Sequence, residues 1–245
     1  PSVFNNPAGS TFDSQNDGTI GWNSSPYGTF NNAGTFRKSA GTGTTSVSAT
    51  FNNTGVVDVD AGILSLAGAG GTHTGSFDAT GFGLSFSGGT HNLNGSTSIA
   101  VGTFTIGGAT VNFNQSSAVT LPNLTFSGGA LSGTATVNIS GALTWTSGSM
   151  SGTGITIANG GIAMSGSGSK SMFSSRVLNN NGTATWTGTG GFNLDTPSVS
   201  NNPAGSTFDS QNDGTIGWNS NPYGTFNNAG TFRKSAGTGT TSVSA

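Results

Sequence analysis

A short apolar phrase that recurs at a nearly constant interval constrains the fold of this chain more than any other feature. The phrase reads apolar-polar-apolar, and its copies begin at Leu64, Leu84, Phe104, Leu124, Leu143 and Ile162. Consecutive copies are therefore separated by about 20 residues throughout. Alternation at period two indicates strands with one buried face, and the Gly, Ser and Asn clusters between them indicate turns. A fixed period of this length predicts a β-solenoid, in which each coil buries its apolar face by stacking on its neighbours.

Composition favours an ordered solenoid over a disordered chain. Gly contributes 43 of 245 residues, but the net charge is only −2, whereas disordered chains usually combine low hydrophobicity with high net charge. The six Lys and Arg residues form no basic stripe, which disfavours nucleic-acid binding. No run of 18 apolar residues is present, so no membrane span is predicted. The absence of Cys rules out disulfides and fits a secreted protein.

A second, much longer repeat defines the domain organisation. Residues 1–49 match residues 197–245 at an offset of 196, with only two differences, Phe4 against Ser200 and Ser25 against Asn221. The chain is therefore expected to hold one full module, 1–196, followed without a linker by the start of the next, 197–245. We expect about nine coils of 19–25 residues in each 196-residue module.

Stacking these coils predicts one continuous inward column of large apolar side chains. Its members are expected to be Leu66, Phe86, Ile106, Phe126, Trp145, Met164 and Trp186, continuing into Phe12 and Phe208. A second strand in each coil carries pairs such as Val137 with Ile139 and Ile155 with Ile157. Each buried side chain of this kind contributes roughly 1.5–3 kcal/mol, so these columns are predicted to form the core.

Asparagine-rich phrases are predicted to form the corners of the coils. The corner residues are Asn31, Asn32, Asn52, Asn53, Asn179 and Asn180. Asn tolerates left-handed backbone geometry, and an inward amide can bond the Asn above and below it. A ligand site built from asparagines is the alternative, and the ladder interpretation is preferred.

Two clusters of residues are candidates for metal sites. Asp58, Asp60 and Asp78 are expected to face outward on adjacent coils, where their carboxylates could hold Ca²⁺, although a solvated strand face is the favoured interpretation. His73 and His91 each follow Gly-Gly-Thr and are expected to stack inside the solenoid, in line with Val111. A third metal ligand is missing from the pattern, so a hydrogen-bonded core pair is favoured over a metal site. We therefore predict no metal and no cofactor.

Two outward features are candidates for contact with a ligand. The region around Trp22 and Tyr27 lacks the regular strand pattern and is expected to form a protruding loop. A row of hydroxyl side chains is also expected beside the core, at Ser65, Ser85, Thr105, Thr125, Thr144 and Thr185, interrupted by Ala163. Such a row could face ice, a glycan or another fibre, and its simpler interpretation is a soluble surface rich in β-forming residues.

The coil phrases resemble those of a known class of proteins. The segments that begin at Phe30, Gly62 and Leu143 resemble the β-strand-repeat segments of very large secreted or surface-anchored bacterial proteins, of the adhesin and autotransporter-passenger kind. This resemblance implies a right-handed parallel β-helix, an extracellular location and a stalk or fibre role. It implies no catalytic residues.

The sequence therefore predicts an all-β, parallel β-helix rod that serves as an extracellular fibre, stalk or filament subunit. Its expected partners are copies of itself, joined in tandem, end to end or side by side. The alternative is an adhesin-type module that binds a glycan or a surface through its loops or its Ser/Thr face. An enzyme on this scaffold is disfavoured, because no Ser nucleophile elbow, phosphate loop or Cys nucleophile is present and the trio Asp58, Asp60 and Asp78 is the only acidic cluster.

Overall fold

The computed structural model describes residues 2–21, 28–219 and 222–245, and within them every regular element is a β-strand. The strands are β1 Val3–Asn6, β2 Thr11–Ser14, β3 Thr19–Ile20, β4 Thr29–Asn32, β5 Thr35–Lys38, β6 Thr44–Val47, β7 Thr50–Asn53, β8 Val56–Val59, β9 Ile63–Leu66, β10 Gly70–His73, β11 Ser76–Phe86, β12 Thr90–Gly95, β13 Ile99–Ile106, β14 Thr110–Gln115, β15 Val119–Leu121, β16 Leu124–Phe126, β17 Ala130–Gly133, β18 Thr136–Ile139, β19 Leu143–Trp145, β20 Gly148–Met150, β21 Ile155–Ala158, β22 Ile162–Met164, β23 Lys170–Met172, β24 Val177–Asn180, β25 Thr183–Trp186, β26 Phe192–Leu194, β27 Val199–Asn202, β28 Thr207–Ser210, β29 Thr215–Gly217, β30 Thr225–Asn228, β31 Thr231–Lys234 and β32 Ser242–Val243. All ladders between these strands are parallel, and they stack as a β-solenoid of about ten turns, which confirms the predicted fold class.

Each turn of the solenoid contributes one strand segment to each of three faces. Face 1 is the 12-stranded sheet, which begins with β1 followed by β4 and ends with β29 followed by β32. Face 2 holds β2, β5, β8, the first halves of β11 and β13, and then β15, β18, β21, β24, β27 and β30. Face 3 holds β3, β6, β9, the second halves of β11 and β13, and then β16, β19, β22, β25, β28 and β31. Because β11 and β13 each bend across two faces, faces 2 and 3 are joined there into one sheet.

The core fills the space between the three faces. The seven side chains from Leu66 to Trp186 that were expected to form one column are buried, and consecutive members lie in register on face 3. The expected continuation of this column is wrong. Trp186 is in register with Ser210, whereas Phe208 is in register with Ala184 and belongs to the neighbouring inward row. Phe12 lies on face 2, where it is in register with Phe36 of the next coil.

One strand of face 2 has the opposite orientation to that predicted from its alternation. In β21, Thr156 and Ala158 are buried and lie in register with Val137 and Ile139, so Ile155 and Ile157 point outward and are half-buried. A one-residue difference in register moves every side chain of a strand to the other face. Inward Thr156 accepts a hydrogen bond from the buried guanidinium of Arg176 at 2.5 Å, a partner that an inward isoleucine could not provide.

The coils vary in length more than the sequence suggested. Val119 is in register with Val137 and Thr215 with Ser242, so one coil is shorter and another is longer than the predicted range allows. The longest connections join β3 to β4 and β31 to β32, both from face 3 to face 1, and β29 to β30, from face 1 to face 2. Extra residues are therefore accommodated at corners, where they leave the ladders intact.

The two copies of the long repeat occupy different faces. β1 lies on face 1, but its copy β27 lies on face 2; β2 lies on face 2, but its copy β28 lies on face 3. β3 lies on face 3, and its copy β29 lies on face 1. Each of these strands is displaced by one face in the same direction. The ladders of all three faces nevertheless continue past the boundary between the copies without interruption.

Candidate functional site

The asparagines predicted to form corners are the last two residues of strands β4, β7 and β24, and they form two kinds of hydrogen-bonded ladder. The inward ladder runs from Asn6 to Asn32 (2.7 Å) and from Asn32 to Asn53 (2.8 Å), and a second inward ladder runs from Asn180 through Asn202 (2.9 Å) to Asn228 (2.6 Å). The outward ladder links Asn5, Asn31 and Asn52 on face 1 and links Asn179, Asn201 and Asn227 on face 2. Because the inward amides also bond backbone carbonyls of the next coil, they hold consecutive coils in register.

The acidic residues of the third and fourth coils, Asp58, Asp60 and Asp78, are engaged by neighbours. Arg37 lies in register with Asp58, contacts it at 3.6 Å, and contacts Asp60 at 2.5 Å. Asp78 accepts hydrogen bonds from the backbone and hydroxyl of Thr80 within its own turn. Burial, followed by repulsion from Asp60, raises the pKa of Asp58. Within the described residues no group of three His, Cys, Asp or Glu side chains is arranged to hold a metal ion.

The two histidines form a buried pair, but they do not occupy equivalent positions in their coils. His73 is in register with Leu93, whereas His91 is in register with Gly71 and Val111. The rings stack at 5.2 Å, and His73 Nε2 lies 2.9 Å from His91 Nδ1.

The surroundings of this pair fix its protonation. The carbonyl of Gly88 can only accept, so His91 Nε2 donates to it at 3.0 Å, His91 Nδ1 is the acceptor, and His73 Nε2 is the donor. Burial lowers the pKa of His91 to about 4; burial and the neighbouring ring lower the pKa of His73 to about 3. The pair is therefore neutral at pH 7.

Three buried basic side chains were not foreseen. Lys38 Nζ is held by Asp17 and by the carbonyls of Asn16 and Ala40; Lys170 Nζ is held by backbone carbonyls, at 2.5 Å from Ser165 and 2.9 Å from Gly168. Arg176 is fully buried, which lowers its pKa to about 10. The two lysines are internal caps of corners. Lys38 follows Phe36 by two residues in the same strand, so the alternation of the sequence could have predicted that Lys38 points inward.

The outward row of hydroxyls is present and in register. Ser65, Ser85, Thr105, Thr125, Thr144, Ala163 and Thr185 follow one another across face 3. Most of these residues are only partly exposed, and Ser65 is bonded to Ser87 at 2.8 Å. The row ends at Asp209, which is in register with Thr185 and pairs with Arg233 at 2.8 Å.

The predicted contact loop is described only in part and only in its second copy. Trp22 and Tyr27 lie outside the described residues, but their counterparts Trp218 and Tyr223 are described. Trp218 is 40% exposed and Tyr223 is 52% exposed, and their ring centroids lie 4.7 Å apart at an interplanar angle of 42°. We call Trp218, Asn219, Pro222 and Tyr223 together the aromatic loop.

The two preceding coils anchor the aromatic loop. The backbone N–H of Asn219 donates to Asp195 at 2.7 Å, and its side chain reaches Ser171 at 3.2 Å. Thr196 donates its N–H to the carbonyl of Pro222 at 3.1 Å and its hydroxyl to the carbonyl of Tyr223. Both ends of the aromatic loop are thus tied to the rod, so that its two rings are presented on a fixed base.

No family model, curated protein or solved structure matches this chain. None of the described residues forms a helix long and apolar enough to cross a membrane.

One surface cleft offers little acid–base chemistry. This cleft of about 490 Å³ lies between Gly95–Ile99 and Ser117–Thr120, and its lining contains hydroxyls and the amide of Gln115 but no titratable side chain. General acid–base catalysis needs a positioned proton donor or acceptor. Two exposed aromatic rings beside amide and carboxylate groups can instead stack on and hydrogen-bond a ligand, which makes the aromatic loop the candidate binding site.

Proposed function

We propose that this protein is the repeating part of an extracellular structural rod, a fibre, stalk or filament built from tandem 196-residue modules. The observation that carries the proposal is the continuity of all three faces across the boundary between the copies. A flexible link between modules would break these ladders. Because the coils of one copy continue into those of the next, added copies lengthen a single rigid body.

The roles of the charged side chains support a mechanical function. Three pairs of them join consecutive coils: Lys38 with Asp17, Arg233 with Asp209 and Lys234 with Asp213. The extracellular location rests on the resemblance to secreted repeat proteins and on the absence of Cys.

Electron microscopy of the present chain beside a chain extended by one further 196-residue copy tests the rod. Nine and one-third coils at about 4.8 Å per coil should add about 45 Å of length at constant width. Two beads joined by a variable angle, or an extended chain of unchanged length, would rule out the continuous rod.

Saccharide binding by the aromatic loop is the second candidate function. The exposed pair Trp218 and Tyr223 favours it, because aromatic rings offer an apolar face to a sugar ring while neighbouring polar groups bond its hydroxyls. The chain is close to neutral, so an uncharged oligosaccharide is the ligand class that fits.

An array of neutral oligosaccharides tests this candidate. Both copies of the loop must be altered together, as Trp22→Ala with Trp218→Ala, and Phe82→Ala serves as the matched control because Phe82 is an exposed aromatic elsewhere on the rod. Binding that is lost in the double variant and kept in the control supports the site. Binding that survives the double variant, or no binding to any member of the array, removes it.

A further inference from the structure

The offset between the two copies, from Val3 to Val199 for example, is not a whole number of coils. Among the described residues 26 strands precede β27, and two of them, β11 and β13, each supply a segment to two faces. One copy therefore holds 28 strand segments, which is nine coils of three segments and one segment more. That additional segment is the reason why β27 lies on face 2 while its counterpart β1 lies on face 1.

The side chains of the two copies keep the same contacts despite this displacement. Phe12, Phe30 and Phe36 have ring centroids 5.3, 5.4 and 5.6 Å apart, and their counterparts Phe208, Phe226 and Phe232 have centroids 5.3, 5.5 and 5.9 Å apart. In each trio one pair is stacked and two pairs are edge-to-face.

The lysine caps repeat in the same way. Lys38 is held by Asn16, Asp17 and Ala40, and Lys234 is held by the equivalent atoms of Asn212, Asp213 and Ala236. The second copy is therefore the first copy moved along the rod and turned by one face.

The turn changes the faces of the strands that flank the aromatic loop. The aromatic loop follows β29 on face 1 and precedes β30 on face 2. In the first copy, the strands that flank the corresponding stretch of sequence are β3 on face 3 and β4 on face 1. The strands that flank this sequence therefore lie on different pairs of faces in the two copies.

We propose that tandem copies turn by one face each, so that the rod displays its aromatic loops at all three corners in succession. Each copy advances about 45 Å along the axis, and the same corner recurs after three copies, or 28 coils, at about 134 Å. The number of segments fixes the turn, because every segment must lie on the next face for the ladders to continue.

This display determines the kind of partner, given the saccharide function proposed above. A rod lying on a flat saccharide layer reaches only one loop in three, whereas a polysaccharide network surrounding the rod is reached by every loop. Multivalent gain requires geometry that lets the sites engage together. The rod is therefore suited to hold neighbouring neutral polysaccharide chains on three sides, as a cross-linking element of a matrix.

Distances between spin labels in the present chain test the turn without any ligand. The chain has no cysteine, so labels can be attached at Asn227→Cys paired in turn with Asn31→Cys, Arg37→Cys or Ser46→Cys, which lie on faces 1, 2 and 3 of one coil. Asn227 lies on face 2, so the pair with Arg37 should give the shortest distance. If the shortest distance is between the labels at positions 227 and 31, the counterparts of each other, the copies are not rotated and the proposal is wrong. If the shortest distance is between the labels at positions 227 and 46, the rotation has the opposite direction to the one proposed.

A chain of three copies tests the display. Cysteines for gold labelling are introduced as Arg37→Cys, Arg233→Cys and the equivalent substitution in the third copy. In electron micrographs the three gold labels should lie on three sides of the rod, about 45 Å apart along its axis. Labels confined to one side would overturn the proposal. Because neither experiment uses a saccharide, a failed oligosaccharide array would remove the matrix partner but leave the three-sided display standing.

Discussion

Residues 2–49 and 197–245 make the most informative comparison in this molecule, because nearly the same sequence is placed on different faces of one rod. The two copies differ at only two aligned positions, and their phenylalanine trios and lysine caps are alike. Their surroundings are not alike. Lys38 is fully buried beneath a following coil, whereas the side chain of Lys234, in the last coils of the sequence, is 28% exposed.

The difference teaches that local sequence decides the shape of a coil but not the face on which its strands lie. The face on which a strand lies depends on the number of strand segments that precede it in the chain. A solenoid tolerates this freedom because each coil contacts only its neighbours. The predictions below test how far the copies are equivalent, beginning with the largest effect.

Removing one aromatic ring from each copy should lower the free energy of unfolding by different amounts, because the two rings differ in burial. Phe208 is 2% exposed between Ala184 and Phe232, so Phe208→Ala should lower the free energy of unfolding by about 3–5 kcal/mol. Its counterpart Phe12 is only partly buried, and Phe12→Ala should cost clearly less. Denaturant unfolding of both variants measures the difference. Equal losses would show that the neighbouring coils do not set the burial of these rings.

The coils between the copies should carry a pH sensitivity that the copies lack, because both histidines lie there. The unfolded chain protonates them near pH 6.5, whereas the folded chain resists protonation down to about pH 4 for His91 and about pH 3 for His73. The unfolded state therefore binds more protons in this range, and stability falls as the pH drops below about 6.5.

Between pH 7 and pH 5 the loss should reach up to about 4 kcal/mol for two protons. Thermal unfolding at both pH values measures it. The control is the double variant His73→Leu, His91→Val, whose new side chains match the in-register Leu93 and Val111. A fall in stability of the same size in that variant would contradict the assignment.

The inward and outward asparagine ladders should contribute unequally. Asn32→Ala leaves Asn6, Asn53 and the carbonyl of Val56 without this partner, and should cost about 2–3 kcal/mol. Asn52→Ala, in the outward ladder, should cost less than about 1 kcal/mol because water replaces its bonds. Chemical denaturation distinguishes the two, and a larger loss in the outward variant would reverse the roles assigned to the ladders.

The smallest expected difference concerns the two lysine caps. Lys38→Met should cost about 1–2 kcal/mol, since it leaves the carbonyl of Ala40 without a donor while its volume stays filled. Lys234→Met should cost less, because its site is open to water. Urea unfolding of the two variants at neutral pH measures the difference, and an equal or larger loss for Lys234→Met would contradict it.

In acid the two caps should weaken together, because the hydrogen bond from each lysine lowers the pKa of Asp17 and of Asp213. Their stabilising effect is present above the usual carboxyl pKa near 3.8 and is lost as the pH falls below it.

Much of the fold follows from the sequence, and the gaps have identifiable causes. The period of the Leu-x-apolar phrases leads directly to the face 3 column from Leu66 to Trp186, because a solenoid repeats its register wherever coil length is constant. Prediction failed where coil length or partner chemistry changed. Ile155 and Ile157 point outward because Thr156 meets Arg176, and the histidines are offset because their separation along the chain is shorter than the coil that holds them.

The candidate site was only partly accessible to sequence reasoning. A break in the strand pattern predicted a loop at Trp22 and Tyr27, which lie outside the described residues. Only the structure shows that the rings of Trp218 and Tyr223 are adjacent and that Asp195, one coil earlier, holds the aromatic loop. Arg37 was missed as the partner of Asp58 and Asp60, although it precedes Asp58 by one coil length.

The sequence by itself determined the parallel solenoid, most of the phrases that enter the core and the 196-residue offset between the copies, because period-two strands of constant spacing can bury their apolar sides only by stacking. The tertiary structure alone decided the face of each strand. The face of a strand is a cumulative property. The face of β27 depends on every corner that lengthens a coil and on both strands that cross two faces. No local sequence pattern contains this total.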